Sequence, residues 1–292
     1  MTKLLVTGAT GHLGRQTIEF LRQRVADDRI VALARDPEAL SELATSGIEI
    51  RRGDYFDQAS LVAAFAGIEK ILLVSAVAFT DRLVQHRNVI AAAKQAGVRH
   101  VVYTSIQRRP ESPRVISMVT ESDIATENAL KESGLDYTIL FNSLYLDSLG
   151  VILGETVLED GIHVPGGSGK GALVARRDLA EANAVILTQG GHENKSYVLG
   201  ASEACSFADI AAALSIIAGR PVSYTDVTRQ DFIDAKVALG LPQPVAAFLS
   251  EWVEAVAADE FSEITHDLER IIGHKPTSYK DFLEASFAKP SA

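Results

Sequence analysis

The sequence predicts an α/β fold built on a doubly wound parallel sheet, and three observations lead to that prediction. A short apolar run at 3–7 meets glycines at positions 8, 11 and 14, and a segment of helical periodicity follows over 15–24. Apolar runs and helical segments then alternate as far as residue 141. The nearly continuous apolar run at 70–75 is typical of a strand covered on both faces. Together these features indicate a Rossmann-type sheet with crossover helices.

The glycine turn after the first strand is the main functional motif. Backbone N–H groups at the start of a helix lack partners within the helix and lie at its positive end, so they bind phosphate. We expect Gly8 to allow the tight turn, Gly11 to let a pyrophosphate approach, and Gly14 to let the helix pack on the strand. Thr10 adds a hydroxyl donor. The alternative is a glycine-rich loop that only turns the chain, but the strand before it and the helix after it favour a dinucleotide site.

The end of the second strand, at 29–34, indicates which dinucleotide binds. An acidic residue at this place accepts from the ribose 2′-hydroxyl of NAD, whereas an arginine pairs with the 2′-phosphate of NADP. Both Arg35 and Asp36 are present, but Asp36 precedes Pro37 in the pattern of a helix N-cap. That leaves Arg35 for the phosphate and favours NADP. The alternative is that Arg35 is a solvated strand end.

The next strands place polar residues at the same edge of the sheet. A third strand at 48–50 is followed by Asp54, which either accepts from the adenine amine or closes a local turn, and by Asp57, the expected helix cap. The fourth strand ends at Ser75 and Ala76. Helices at 82–96 and 120–132 precede a fifth strand at 98–105 and a sixth at 136–141, respectively.

The pattern changes after residue 142, which suggests two domains. We assign residues 1–145 to a dinucleotide-binding domain and residues 146–292 to a smaller, mainly helical lobe that covers the substrate. Within this lobe Asp178 is expected to cap a helix that runs to residue 187, and Trp252 is expected to anchor the core. A short strand near 197–199 is a candidate to return to the main sheet.

Composition excludes several classes of function. The chain has 292 residues, 47% of them hydrophobic, and a formal charge of −10, which disfavours nonspecific binding to nucleic acid or to anionic membranes. Its one cysteine, Cys205, forms no internal disulfide, and no Cys/His cluster has metal-ligand spacing. No apolar run is long enough to cross a membrane. We therefore expect a cytoplasmic protein without a metal site.

These residues resemble the NmrA-like group of atypical short-chain dehydrogenases/reductases, and within it the bacterial NADPH-dependent quinone oxidoreductases of type 2 and the triphenylmethane reductases. The resemblance covers nearly the whole chain and is carried by the segments at 6–14, 34–36, 53–55, 70–75, 96–100, 125–127, 137–140, 142–145, 177–180 and 191–197. It implies NADPH as the cofactor. The cofactor contacts it implies are Gly8, Thr10, Gly11, His12, Leu13, Arg35, Asp54, Ser75 and Ala76, with Asn142 near the nicotinamide.

The chain also departs from this group near the expected substrate pocket. Phe141 stands where relatives often have arginine, and Asp123 and Ala125 stand near positions where some members carry lysine or histidine. These departures leave the identity of the acceptor open.

A missing motif bears on the chemistry. Typical dehydrogenases of the wider superfamily use a tyrosine four residues before a lysine as proton donor, and none of the seven tyrosines has a lysine at that distance. A quinone needs less help, because the phenolate formed by hydride transfer is a stable anion. No catalytic residue is therefore assigned. The residues expected to line an acceptor slot are Phe79, Ser105, Asn142 and Tyr145, each of which also has an ordinary structural explanation.

Three functions remain in competition. The first is an NADPH-dependent enzyme that reduces a small-molecule acceptor such as a quinone. The second is a non-catalytic sensor of the NmrA type, which binds the dinucleotide and reports redox state to a partner protein. An epimerase or lyase acting on a nucleotide sugar is weakened by the missing Tyr/Lys pair. The sequence leaves open whether the chain forms a homodimer.

Overall fold

The computed structural model of the protein describes residues 2–287, and a parallel sheet forms its centre. The strands are β1 (Lys3–Val6), β2 (Ile30–Ala34), β3 (Glu49–Arg52), β4 (Ile68–Leu73), β5 (His100–Ile106), β6 (Asp136–Asn142), β7 (Ile162–Val164), β8 (Lys195–Leu199) and β9 (Tyr224–Asp226). Seven of them form one sheet in the order β3-β2-β1-β4-β5-β6-β8, and β7 pairs with β9 in a separate ribbon. The predicted doubly wound sheet is confirmed.

Helices lie on both faces of this sheet and form most of the second half of the chain. They are α1 (His12–Arg22), α2 (Ser41–Ala44), α3 (Gln58–Phe65), α4 (Arg82–Ala96), α5 (Thr120–Glu132), α6 (Leu149–Leu153), α7 (Val157–Asp160), α8 (Arg176–Thr188), α9 (Phe207–Ala218), α10 (Arg229–Ala238), α11 (Gln243–Ala257), α12 (Asp267–Ile272) and α13 (Tyr279–Phe287). No helix in this described part is long and apolar enough to span a membrane.

The strand order reverses between β1 and β4. From β1 the chain proceeds outward through β2 and β3, then crosses back to β4, which pairs with the other side of β1. Connections leaving β1 and β4 therefore diverge and open a crevice at the carboxyl ends of these two strands. In open α/β sheets this is the place where ligands bind.

Part of the second half returns to the main sheet. β8 pairs with β6 in parallel, with Leu140 opposite Tyr197, and α8 packs against α1, where Asn183 Nδ2 donates to Thr17 Oγ1 at 3.2 Å. The β7–β9 ribbon and helices α9 and α11 surround a separate apolar core that contains Phe207, among others. The boundary at residue 145 stays a proposal, and residues 176–199 lie with the main sheet.

Two local expectations have different outcomes. Asp57 caps α3 as predicted, since its carboxylate accepts from Ser60 N at 3.1 Å. Asp178 does not cap α8, because that helix begins two residues earlier, at Arg176. The buried Asp178 carboxylate accepts instead from Thr277 N at 2.7 Å, so it joins α8 to the loop before α13.

Close backbone contact explains the third glycine of the turn. A Cβ on Gly14 would lie 2.3 Å from the carbonyl oxygen of Gly8, a distance no side chain tolerates. The helix and the turn touch through their backbones, so a glycine is required at this position.

We predict that Gly14→Ala lowers the free energy of unfolding by about 1–3 kcal/mol, because the turn and α1 must separate. Gly150→Ala is the matched control, since nothing lies within 4 Å of its added Cβ inside α6. Alanine there is expected to be neutral or stabilising. Urea denaturation measures both variants, and equal stability of Gly14→Ala and the unmodified protein would refute the close contact.

Candidate active site

Three consecutive backbone amides leave the sheet at the end of β4, and a side chain from a different element accepts from each. Val74 N donates to Thr7 Oγ1 at 3.0 Å, Ser75 N to Thr104 Oγ1 at 2.9 Å, and Ala76 N to His86 Nε2 at 2.9 Å. The Ala76 amide is buried and the other two are partly buried, and amides removed from water are normally paired in this way. The path of residues 74–76 along the crevice is therefore determined by β1, β5 and α4 together.

Tyr55 completes the junction between β1 and β4. Its hydroxyl donates to Val74 O at 3.0 Å and contacts the hydroxyl of Thr7, which in turn donates to Leu72 O at 2.9 Å. Burial raises the pKa of Tyr55 well above its ordinary value, so the phenol stays protonated. Tyr55 thus links the residue that follows β1 to the residue that follows β4, at the edge of the crevice.

The glycine turn presents a free helix start to this crevice. Gly8 has φ +60°, and its carbonyl accepts from Gly11 N at 2.9 Å. Within residues 2–287 no side chain caps α1, and the first turn of this helix contains no acidic residue. Thr10 and His12 are exposed, whereas Leu13 is buried. The positive end of α1 therefore faces solvent at the place where a phosphate would bind.

At the end of β2 the structure separates the roles of two neighbours. Asp36 caps the 3₁₀ helix Pro37–Leu40 and accepts from Glu38 N at 3.1 Å, as predicted. Arg35 is exposed. Arg52 of β3 lies opposite Ala34 in the sheet register and is a second exposed arginine at this edge, which the sequence reasoning missed.

Asp54 follows the local explanation. Its Oδ1 accepts from Phe56 N at 2.9 Å, which closes a turn of the Asx type, and its own amide donates to Ser60 Oγ at 3.0 Å. The second carboxylate oxygen of Asp54 takes no part in this turn, and the contact with an adenine amine stays a prediction.

A cavity of about 440 Å³ adjoins the carboxyl ends of β4, β5 and β6. It brings together three of the predicted residues, Ser75, Asn142 and Tyr145. The other residues in its wall are Val77, Ala78, Arg82, Ile106, Val119, Ser143, Leu144, Ser148, Ile152, Arg176, Phe248, Leu249 and Trp252. The wall is mainly aliphatic and aromatic, with few polar groups, as in sites for small organic ligands.

The two remaining predicted acceptor residues lie differently. Phe79 is not part of the cavity wall, but its ring packs edge-to-face at 5.4 Å on Phe248, which is, and its backbone has φ +67°. Ser105 does not line the cavity. It is buried and donates to Glu127 Oε1 at 2.6 Å, and Glu127 also forms a two-point ion pair with Arg108.

Asn142 has an unused acceptor. Its side chain is buried, Nδ2 donates to Tyr145 Oη at 3.4 Å, and Oδ1 has no partner among the described residues. Ser143 Oγ, also in the wall, is likewise unpaired within residues 2–287. A buried polar atom without a partner is costly unless a ligand or water satisfies it. Both atoms therefore mark the polar end of the cavity.

Arg82 of the cavity wall forms a buried ion pair with Asp123. Arg82 Nη2 contacts Asp123 Oδ1 at 2.5 Å, and Tyr103 Oη donates to the same oxygen at 2.7 Å. The Arg82 guanidinium also donates to Ala76 O and, through Nε, to Ser122 Oγ at 2.9 Å. Burial raises the pKa of Asp123 although the Arg82 charge opposes this shift.

Sequence reasoning missed several residues of this site because they are distant in the chain. Phe248 and Trp252 are one turn apart on α11 and lie 6.1 Å apart edge-to-face, while Trp252 stacks on Phe261 at 6.0 Å. Trp252 was expected only as a core anchor. Arg176 lies over the Tyr145 ring at 5.1 Å. The aromatic pair at helical spacing was the available signal.

Comparison with known proteins agrees with this geometry. The chain belongs to the NmrA-like family, whose model matches residues 1–284. It is 35% identical over 285 residues to quinone oxidoreductase 2 of Escherichia coli, covering 97% of this chain and 98% of that protein. It is 30% identical over 287 residues to NAD(P)H azoreductase of Xenophilus azovorans, covering 98% of each.

A solved structure shows the same architecture. The Citrobacter sp. triphenylmethane reductase, crystallised as a complex with NADP(H), superimposes with a TM-score of 0.91 at 35% identity. The match covers 98% of this chain and 100% of that one. The predicted relationship to this subgroup is confirmed.

His86 makes the stability of the protein sensitive to acid. Burial, assisted by the Arg82 charge, lowers the pKa of His86 to about 3, whereas an unfolded chain protonates near its ordinary value of 6.5. Between these values the unfolded state holds one more proton. The contribution to the free energy of unfolding is therefore complete above pH 6.5 and is lost as the pH falls toward 3.

We predict that His86→Leu reduces the slope of the free energy of unfolding against pH. The reduction is up to about 1.4 kcal/mol per pH unit in the range from about pH 6 to about pH 4. Urea denaturation of both proteins across that range measures the two slopes. Parallel slopes would contradict a neutral, buried His86.

Proposed function

We propose that the protein is an NADPH-dependent oxidoreductase that transfers hydride to a quinone or a similar conjugated acceptor without a tyrosine–lysine proton relay. One observation carries the proposal: the cavity of about 440 Å³ adjoins the crevice where the strand order reverses. A dinucleotide in the crevice and a flat acceptor in the cavity would then be neighbours. The reductase names of the relatives support the reaction class.

The residues of the crevice fit a dinucleotide. The uncapped start of α1 and the backbone at His12 and Leu13 suit its pyrophosphate, and Arg35 with Arg52 suits a 2′-phosphate. The unpaired Asn142 Oδ1 suits an amide donor such as a nicotinamide carboxamide. When bound, the reduced nicotinamide supplies the hydride.

The cavity wall suits an acceptor that needs little acid catalysis. The titratable side chains in it are Tyr145 and two arginines, Arg82 and Arg176. Burial raises the pKa of Tyr145, which makes the phenol a weaker acid than usual. Guanidinium groups stay charged and stabilise negative charge that develops on a quinone oxygen. Water can supply the proton after the transfer.

Replacing Arg35 tests the choice of cofactor. We predict that Arg35→Ala weakens NADPH binding roughly 10- to 150-fold, the loss of one charge-assisted contact of about 1.5–3 kcal/mol, and leaves NADH binding nearly unchanged. Arg24→Ala, an exposed arginine beyond the far end of α1, is the control. Titration by fluorescence measures both cofactors. Equal loss for NADPH and NADH would show that Arg35 does not read the 2′-phosphate.

A screen of acceptors tests the reaction. We predict rapid oxidation of NADPH with quinones and poor oxidation with simple ketones, because a ketone needs a proton donor that the wall does not provide. Tyr145→Phe should raise KM for the quinone and change kcat by less than about 10-fold, whereas loss of an essential acid costs about 10²–10⁴-fold.

Two outcomes oppose the proposal. Efficient ketone reduction that depends on Tyr145 would assign it an acid role. Tight NADPH binding without turnover of any acceptor would favour the sensor.

A further inference from the structure

We propose that His86 is a positioning residue, which together with Arg82 holds the backbone on both sides of Ala76 and so sets the wall of the acceptor cavity beside the cofactor crevice. The inference rests on the proposed function for its kinetic part and on contacts within the chain for its structural part.

The two side chains hold both polar atoms flanking Ala76. His86 Nε2 accepts from Ala76 N at 2.9 Å, and the Arg82 guanidinium donates to Ala76 O. The two residues are four apart on α4, so they project from one face of the helix. The neighbours of Ala76 in the chain, Ser75 on one side and Val77 and Ala78 on the other, line the cavity. A shift at His86 would therefore move that wall.

The contacts require one particular form of the imidazole. Nε2 accepts from an amide, so it carries no proton, and a neutral ring must then carry its proton on Nδ1. Thr126 leads to the same result independently. Its hydroxyl donates to Ser122 O at 2.6 Å, so it accepts at 2.9 Å from His86 Nδ1. The structure assigns His86 the Nδ1–H tautomer.

The charged and titratable groups around His86 come from three elements. Arg82 lies on α4, Tyr103 on β5, with its hydroxyl 3.5 Å from Nδ1, and Asp123 on α5. The Arg82–Asp123 pair balances charge in this region. A second positive charge on His86 would face Arg82 and would remove the acceptor for Ala76 N, so the ring acts in its neutral form.

A buried ion pair is weak evidence for stability, because well-packed apolar residues often replace such a pair without loss. The Arg82–Asp123 pair has a specific geometric consequence here, since Arg82 also binds the carbonyl of Ala76. The pair and His86 therefore hold the two consecutive peptide groups that flank the Cα atom of Ala76.

His100 provides a matched control within the same chain. It is buried like His86 and also contacts a threonine, with Nε2 2.8 Å from Thr138 Oγ1. Thr138 donates its own proton to His192 O, so His100 carries its proton on Nε2, the opposite tautomer. His100 begins β5, roughly 20 Å of strand away from the cavity end at Ile106.

Nitrogen-15 NMR of the imidazoles in the unmodified protein tests the assignment directly. We expect one histidine with its proton on Nδ1 that stays neutral down to about pH 5, and the loss of that signal in His86→Leu. If no histidine shows the Nδ1–H form, the proposal is wrong. This measurement needs neither turnover nor a stable variant.

Kinetics and cofactor binding test the positioning role. We expect His86→Leu to raise the Kd for NADPH and lower kcat with a quinone, each by about 10-fold, while His100→Leu changes both by less than about 2-fold. Thermal unfolding confirms that both variants are folded. Equal effects of the two substitutions, or no effect of His86→Leu, would overturn the proposal.

The two proposals fail separately. A protein that turns over no acceptor, but loses NADPH affinity in His86→Leu and not in His100→Leu, would refute the reductase function and retain His86 as a positioning residue.

Discussion

The backbone amides of three consecutive residues at the end of β4, Val74, Ser75 and Ala76, impose the constraint on which the rest of the site depends. Each must find an acceptor once the chain leaves the sheet, and the acceptors belong to Thr7, Thr104 and His86. Because these residues come from β1, β5 and α4, the segment is held from three directions. It separates the crevice beside the glycine turn from the cavity beneath α11, and so determines how a cofactor and an acceptor would meet.

Much of the fold could be predicted from the sequence, because buried parallel strands have continuous apolar runs and the helices between them carry recognisable start signals. Asp36 and Asp57 illustrate this, since each caps the segment that follows it. The role of Asp178 could not be predicted, because its partner Thr277 lies 99 residues away. The strand near 197–199 was a candidate to return to the main sheet, but its partner β6 and the register of the pairing are not specified by any local pattern.

The candidate site also has a part that the sequence predicts and a part that it does not. The glycine turn and Arg35 are local motifs whose chemistry follows from their neighbours in sequence. The cavity is formed by residues from distant segments, so Phe248 and Arg176 were not predicted, and Ser105 was expected there although it binds Glu127. No sequence pattern pointed to His86, because its role depends on the backbone amide of Ala76, from which it accepts a hydrogen bond. The acceptor would contact these residues from distant segments, whereas the cofactor would contact local motifs. The identity of the cofactor was therefore easier to predict than that of the acceptor.

The proposed reaction requires that the crevice and the cavity hold a hydride donor and a conjugated acceptor in contact. The most direct measurement is single-turnover oxidation of NADPH, deuterated at either position of C4, by a quinone in the stopped-flow spectrometer. We expect a primary isotope effect for one of the two deuterated forms only, because a fixed nicotinamide presents one face to the acceptor. Equal rates for both forms and the unlabelled cofactor in the chemical step, or no oxidation of bound NADPH, would contradict it.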